Sequence, residues 1–265
     1  MTSNPMTHPV LHQYDLGPGV KAFSSTRHGG VGKGRYASFN INYYCGDNDA
    51  DVDANRASLC QMLGIDVWHL VYPHQVHGDV VAVIDSQWME SLSPAEKRFN
   101  LDGADAVMTN LGGVCIGVST ADCIPILLYD AARHASCAVH AGWRGTVKRI
   151  AQKAVRAMAS RYGTDSRELR AVIGPGISVQ AFEVGDEVYH EFEEAHFDMT
   201  RIACRYRKWH IDLWECNRLQ LVNAGIPQTG IQMAGICTYT QHHDFFSARR
   251  LGIHSGRIFT GIMWD

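Results

Sequence analysis

The chain has 265 residues, of which 46% are hydrophobic and 19% are charged, and its formal net charge is −3. This composition is typical of a folded globular protein and excludes a disordered or collagen-like chain. The weakly negative balance gives no overall electrostatic attraction for nucleic acid or for an anionic membrane, so we expect neither as a partner.

Eight strand-like segments are rich in β-branched residues and bounded by turn formers. In chain order they read VKAFSST, HLVYPHQV, DVVAVID, GVCIGVST, IPILLYD, SCAVHAG, RAVIGPG and IQMAGICTY. Fewer segments have the helical period of apolar residues. These read DVDANRASLCQMLG, GTVKRIAQKAVRAMASRYG, GDEVYHEFEEAHF and DLWECNRLQLVNAG.

No linker or repeat divides the sequence, and its longest polar interruption is the segment 86–103. We therefore expect one domain over residues 1–265, with 86–103 as an inserted surface segment. Strands outnumber helices and often follow one another directly. This order favours an α+β fold in which mixed or antiparallel sheet layers are flanked by helices.

Eight cysteines are spread along the sequence without a C-x-x-C pair. In a chain of this size the pattern is typical of reduced intracellular thiols and not of a disulfide framework. The first residues show no basic segment followed by an apolar one, and no run of about 18 apolar residues occurs. We expect a cytoplasmic protein without a membrane span.

Three places put a possible metal ligand at the end of an apolar strand. His74 and His77 are three positions apart, so on a continuous strand at most one of them would face a shared site. Cys123 lies next to a strand interrupted by Pro125, where we expect its thiol to be accessible. His140 ends the following strand, and pairing of the two strands would bring it beside Cys123.

One thiolate and two imidazoles form a zinc-binding set that leaves the fourth position for water or substrate. A bound zinc ion would lower the pKa of its water to about 7. Copper is the less favoured metal, because the 14 histidines include no i, i+2 pair of the kind a multicopper centre would need. A single histidine or cysteine at a strand end is also common as a packed residue without a metal.

The blocks HQVHG, ADAV, ADCIPILLYD, HAGWRGTV, IGPGIS, FEVG, CTY and FFSARR occur in this order over nearly the whole chain. With them the sequence resembles the multicopper polyphenol oxidase (laccase) domain family, whose members are described as zinc-dependent purine nucleoside phosphorylases. The resemblance implies a single α+β domain with a catalytic zinc site at His77, Cys123 and His140. It also implies phosphorolysis of adenosine, inosine, guanosine and methylthioadenosine, and possible deamination of adenosine.

The resemblance gives five candidate contacts to ribose, base or phosphate, namely Arg27, Asn40, Arg56, Arg144 and Arg249. Arg144 precedes a predicted helix start at Gly145, where backbone N–H groups and the guanidinium would converge on phosphate. Each of the five could equally be a surface or turn residue. The segment between HQVHG and ADAV is longer than we expect for the family.

Two other functions remain open from the sequence. In a cysteine hydrolase, Cys123 would be the nucleophile and His140 or His77 the base, acting on an amide. This reading fits relatives described as cytoplasmic peptidoglycan-precursor editing factors. A metal-dependent binding protein without turnover is the third possibility, and the sequence does not determine the oligomeric state.

Overall fold

The computed structural model describes residues 8–265. Fourteen strands are present in this part of the chain: β1 (Leu11–Tyr14), β2 (Val20–Ser25), β3 (Leu70–Val71), β4 (Val81–Ile84), β5 (Ala106–Thr109), β6 (Cys115–Thr120), β7 (Ile124–Asp130), β8 (Ala135–Ala141), β9 (Arg170–Ile173), β10 (Glu183–Val184), β11 (Ala203–Arg205), β12 (Trp209–Ile211), β13 (Ile231–Met233) and β14 (Ile258–Trp264).

The same residues form nine α-helices: α1 (Asp49–Leu63), α2 (Ser86–Ser91), α3 (Pro94–Leu101), α4 (Trp143–Val147), α5 (Ile150–Tyr162), α6 (Asp186–Glu194), α7 (Met199–Ile202), α8 (Leu213–Asn223) and α9 (Ala248–Leu251). Among residues 8–265, no helix has both the length and the apolar character required to cross a bilayer.

The strands are arranged in three sheets. A six-stranded sheet has the order β13-β9-β7-β8-β5-β4, and a five-stranded sheet has the order β1-β2-β14-β6-β3. A small sheet, β10-β12-β11, completes the set. Most neighbouring strands run antiparallel, while β3–β6, β4–β5 and β9–β13 are parallel pairs. The expected α+β architecture with mixed and antiparallel sheets is confirmed.

The two large sheets pack face to face, and the side-chain alternation of β7 explains why. Leu127 and Tyr129 point into a buried cluster shared with Ile116 and Ile262 of the five-stranded sheet. Ile126 and Leu128 point to the opposite face and belong to the cluster formed with α5 and α8. Because β7 is buried on both faces, its sequence is almost continuously apolar.

Two predicted strands are shorter than their sequence patterns indicate. HLVYPHQV contributes only β3, and IQMAGICTY contributes only β13. The backbone groups beyond these short strands have other partners. The His74 amide donates to the Leu101 carbonyl, and the Ile236 carbonyl accepts from Gly176. Hydrogen bonds to the end of α3 and to the loop that contains Gly176 thus replace the sheet ladder in these segments.

The single helix predicted from Gly145 to Gly163 is wrong, because the structure has two helices with a break at Arg149 (φ 64°). The break has a tertiary cause. The Thr146 carbonyl accepts from Gln220 of α8 and from the Arg149 amide, which ends α4 after a little more than one turn. Asn217 of α8 donates to the Thr146 hydroxyl.

The segment 86–103 contains α2 and α3, which we did not predict. A capping box begins α3: the Ser93 hydroxyl accepts from the Glu96 amide, and the Glu96 carboxylate accepts from the Ser93 amide.

The predicted helices α1, α6 and α8 are confirmed with ends shifted by a few residues. At the start of α8 the Asp212 carboxylate accepts a hydrogen bond from the Glu215 amide and caps the helix.

A close packing between strands provides a test of the core. Gly117 of β6 pairs with Gly261 of β14, and a Cβ atom at Gly117 would lie 2.2 Å from the Phe259 ring. We expect Gly117→Ala to lower the free energy of unfolding by about 1–3 kcal/mol through overpacking. Urea denaturation measures the loss, with the exposed strand residue Gln13→Ala as the control. Equal midpoints for the two variants would contradict the packing argument.

Candidate metal centre

Three chain segments meet at one end of the six-stranded sheet. In the register of β7 and β8, Pro125 pairs with His140 and Ile124 pairs with Ala141, which places Cys123, the residue before β7, beside the end of β8. His77 arrives from the loop between β3 and β4, and its ring centroid lies 4.9 Å from that of His140. The possible ligand atoms of His77, Cys123 and His140 all lie within 4.8 Å of one another. The group could therefore bind a metal ion.

A buried carboxylate organises two of the three residues. Oδ1 of Asp105 accepts from His140 Nδ1 at 2.7 Å and from the His77 amide at 3.0 Å. Oδ2 accepts from the amides of Gly78 at 2.6 Å and Val76 at 3.2 Å. Because Nδ1 of His140 is engaged in this way, Nε2 is the nitrogen left to ligate a metal.

The backbone at the group adopts left-handed conformations that residues with side chains rarely take. His77 has φ 62°, and Asp122, which precedes Cys123, has φ 89°. Such conformations persist where surrounding contacts hold them, and they are frequent at functional sites. Here the Asp105 carboxylate holds the His77 backbone, so the strained geometry is fixed by the same interaction that orients His140.

Asp122 connects the group to the C-terminal part of the chain. Its Oδ1 accepts from the Thr238 hydroxyl at 2.7 Å, and its Oδ2 accepts from the Arg249 amide at 2.7 Å. The Asp122 carbonyl accepts from the Ile177 amide. These bonds place the loop after β13 and the start of α9 next to Cys123.

The electrostatics favour a thiolate at Cys123. Burial alone would raise the pKa of this thiol, but the His140 charge and hydrogen bonds from His140 and His77 outweigh burial and lower the pKa. Burial would likewise lower the pKa of His140, but the Cys123 thiolate and the Asp105 hydrogen bond raise it. Cys137, on the same strand as His140 but without charged neighbours, has its pKa raised by burial. A thiolate is the form of cysteine that ligates metals.

Gly142 leaves the space that an ion would need. A Cβ atom at this position would lie 3.0 Å from Cδ2 of His77 and 3.1 Å from Sγ of Cys123. Only glycine keeps this side of the three donor groups clear. The donor set, one thiolate and two imidazoles, also matches the ligand types that zinc takes in proteins.

Two of the predicted substrate contacts lie next to the group. The Arg249 amide is bonded to Asp122, while its guanidinium donates to the Glu183 carbonyl at 3.1 Å. Arg144 is exposed, and its guanidinium lies 4.3 Å from the Trp143 ring. The helix starts at Trp143 with Gly142 as its N-cap, so the expectation that Arg144 precedes the helix is wrong.

The other three predicted contacts lie in different surroundings. Arg27 is half-buried and donates to the carbonyls of Ala37 and His242. Asn40 is fully buried and donates to the Asp47 carboxylate, so its burial argues against direct contact with a substrate. Arg56 lines a separate cavity whose lining residues include none of the three possible ligands.

His74 does not join His77 in the group. Its Nδ1 bonds to Asp102 at 2.6 Å, and its ring stacks on Tyr44 at 4.1 Å. The expectation that at most one of the two histidines faces the shared site agrees with this arrangement, although the cause is the turn at His77 and not a continuous strand.

Sequence reasoning missed Asp105 and Asp122 as functional candidates. Both lie in blocks that carried the family resemblance, ADAV and ADC, where an acidic residue stands in apolar surroundings. A carboxylate with almost no exposure needs hydrogen-bond donors around it, so acidic residues flanking buried strands are a signal that could have found both.

The comparisons with known proteins identify the family. The chain belongs to the family described as multi-copper polyphenol oxidoreductase laccase, whose model matches residues 21–265. It is 44% identical to a purine nucleoside phosphorylase from Bacteroides thetaiotaomicron, covering 92% of this chain and 91% of that one. It is 45% identical to adenosine deaminase RL5 from an unknown prokaryotic organism, covering 92% and 94%.

Solved structures show the same fold. The chain superposes on the Bacillus licheniformis hypothetical protein YfiH with a TM-score of 0.89 at 27% identity, over 97% of both chains. YlmD from Geobacillus stearothermophilus gives a TM-score of 0.86 at 29% identity, over 97% of this chain and 99% of that one. The similarity extends over nearly the whole α+β domain.

Two aspartate–histidine pairs of different burial provide a matched test of Asp105. The pair of Asp105 and His140 is almost fully buried, whereas the pair of Asp102 and His74 is exposed. We expect Asp105→Asn to weaken metal binding about 10- to 100-fold, because it removes the acceptor that orients the His140 ring and the His77 backbone. Competition with a chromophoric chelator measures the affinity.

Asp102→Asn is the control and should keep the affinity of the unmodified chain. Denaturation of both variants separates a local loss of metal affinity from general unfolding. Equal affinities for the two folded variants would show that Asp105 does not organise the group.

Proposed function

We propose that the chain is a zinc-dependent purine nucleoside phosphorylase, with His77, Cys123 and His140 as both the zinc ligands and the catalytic centre. The observation that carries this proposal is the convergence of one thiolate and two imidazoles from three distant segments. It occurs in a chain that is 44% identical to a relative named purine nucleoside phosphorylase. Purine nucleosides and inorganic phosphate are the proposed substrates.

Zinc suits the donor set better than copper despite the family's description. Among residues 8–265, one group of three or more possible ligands converges, whereas a multicopper centre needs several ions and many histidines. When bound, zinc acts as a Lewis acid that polarises a substrate oxygen or acidifies a water molecule. Three protein ligands leave one coordination position open for this purpose.

In phosphorolysis an oxygen of hydrogen phosphate forms a bond to C1′ of the ribose while the C1′–N9 bond breaks, and the purine leaves with the proton that the phosphate gives up. The chain's task is to hold the anion against the anomeric carbon. Arg144 and Arg249 are the proposed phosphate-binding groups, since their backbones adjoin Gly142 and Asp122. Asp105 keeps the proton on Nδ1 of His140 throughout.

Adenosine deamination is the second proposed activity, favoured by the 45% identity to a relative named adenosine deaminase RL5. In this reaction water adds at C6 of the purine and ammonia leaves. The same open coordination position would serve this step. Both activities therefore depend on the same three side chains.

The cysteine hydrolase reading is not favoured. A thiolate that ligates a metal is not available as a nucleophile, and relatives that are 44% and 45% identical carry phosphorylase and deaminase names. A reducing compartment such as the cytoplasm suits the proposal, because the Cys123 thiolate must stay reduced to bind the ion.

Base release from inosine tests the proposed phosphorylase. We expect purified protein to release hypoxanthine in phosphate buffer and not in a phosphate-free buffer, as followed by chromatography. His140→Ala should lower kcat/KM about 100-fold or more, because losing a ligand removes several kcal/mol of transition-state stabilisation. His190→Ala, which changes an exposed histidine on α6, should keep full activity.

Adenosine, incubated in both buffers, separates the two proposed activities. Free adenine reports phosphorolysis, and inosine reports deamination. A chain that binds zinc in a 1:1 ratio but yields neither base nor inosine would overturn the proposed function and favour a metal-dependent binding protein.

A further inference from the structure

A cavity of about 810 Å³ lies outside the candidate metal centre. Its walls come from the start of α1, the chain around β3 and the inserted helices α2 and α3. Tyr44, one of its lining residues, stacks on His74, so the cavity lies near the metal centre without sharing a ligand. Its size is in the range of sites that bind small organic molecules.

Aromatic side chains supply most of the cavity's flat surfaces. They are Tyr43, Tyr44, Trp68, Tyr72 and Trp88. Trp68 is 64% exposed although it is the largest type of apolar side chain. Trp88 is buried, and its indole N–H has no hydrogen-bond partner among the described residues. Tyr44 stacks on His74 and cations lie over Tyr43, Tyr72 and Trp88, so the exposed Trp68 ring is the flat surface that would stack on a planar aromatic ligand.

Cations surround these rings. The Arg56 guanidinium lies 5.3 Å from the Tyr43 ring and 5.0 Å from the Tyr72 ring, which fixes it over both. Lys97 donates to the Met89 carbonyl at 2.6 Å and lies 5.2 Å from the Trp88 ring. Neither cation has a carboxylate partner within residues 8–265.

Two charged groups on the cavity wall are free to bind a ligand. Arg98 on α3 is exposed and makes no hydrogen bond or ion pair in the described part of the chain. Asp49, at the start of α1, is also exposed and without such a partner there. The other lining carboxylate, Asp53, already accepts from the Tyr43 hydroxyl.

We propose that this cavity is a second ligand site that binds a nucleoside 5′-monophosphate. The base would stack on the exposed Trp68 ring, and Asp49 would accept from the ribose hydroxyls. The phosphate would bind Arg98, with Lys97 adding positive charge. A planar base, a sugar diol and an anion match the three features of the wall, and the excess of cations over carboxylates selects the nucleotide over the neutral nucleoside.

The site is distinct from the proposed catalytic centre and does not rest on the proposed function. Arg56, which the family resemblance gave as a candidate contact to ribose, base or phosphate, lines this cavity. The inserted segment 86–103, for which the family resemblance gave no role, supplies one of its walls.

Isothermal titration of the full chain with AMP tests the proposal, alongside titrations with adenosine and with inorganic phosphate. We expect saturable AMP binding, accompanied by a change in tryptophan fluorescence from Trp68. Arg98→Gln should weaken AMP binding about tenfold, as expected for loss of a charge-assisted contact, and should leave adenosine binding unchanged. Trp68→Leu should also weaken AMP binding, because it removes the ring on which the base stacks.

Two controls locate the ligand. Arg207→Gln, at an exposed arginine in the turn between β11 and β12, should bind AMP like the unmodified chain. Cys123→Ser should also retain AMP binding, because it alters only the metal centre. No saturable binding, equal losses in the two arginine variants, or loss in Cys123→Ser would each overturn the proposal. Inosine phosphorolysis by Arg98→Gln, measured separately, reports on the metal centre alone.

Discussion

The candidate metal centre depends on one fully buried carboxylate, that of Asp105. Burying a charged group is costly unless donors surround it, and Asp105 receives one imidazole N–H and three backbone N–H groups. The Asp105 carbonyl also accepts from the His140 amide, so side chain and backbone together fix β8 against the loop that carries His77. Satisfying one buried charge thus orders two of the three possible ligands before any ion is present.

A second set of hydrogen bonds, from segments outside the six-stranded sheet, holds the same end of that sheet. Thr146, on the short helix that follows His140, is held by Asn217 and Gln220 of α8. On the other side Asp122 fixes the segments that contain Thr238 and Arg249. The centre therefore lies between parts of the chain that are far apart in sequence, which makes its geometry a property of the whole domain and not of a local motif.

Local patterns were sufficient to predict five of the six strands of the six-stranded sheet, all but β5, and helices α1, α6 and α8, because the period of the apolar residues lies within each segment. The closeness of Cys123 and His140 was also predictable, since both lie near the paired ends of β7 and β8, and the family resemblance favoured His77 over His74 as the third residue. The break at Arg149 was not, because it depends on side chains of α8. The left-handed turn at His77 could not be predicted either, because the Asp105 carboxylate that stabilises it comes from another segment of the chain. Asn40, which stays a predicted substrate contact, is buried and donates to the Asp47 carboxylate within the fold.

The two inserted helices leave and rejoin the sheet at neighbouring strands, since α2 follows β4 and α3 precedes its parallel partner β5. Strand β4 is the edge strand of the six-stranded sheet and β5 is the next one in, while β7 and β8, beside the possible ligands, pair directly with each other. The insert is thus an exchangeable unit. Grafting the corresponding stretch from a relative would transplant a cavity wall, and with it a ligand preference, onto an unchanged metal-binding framework.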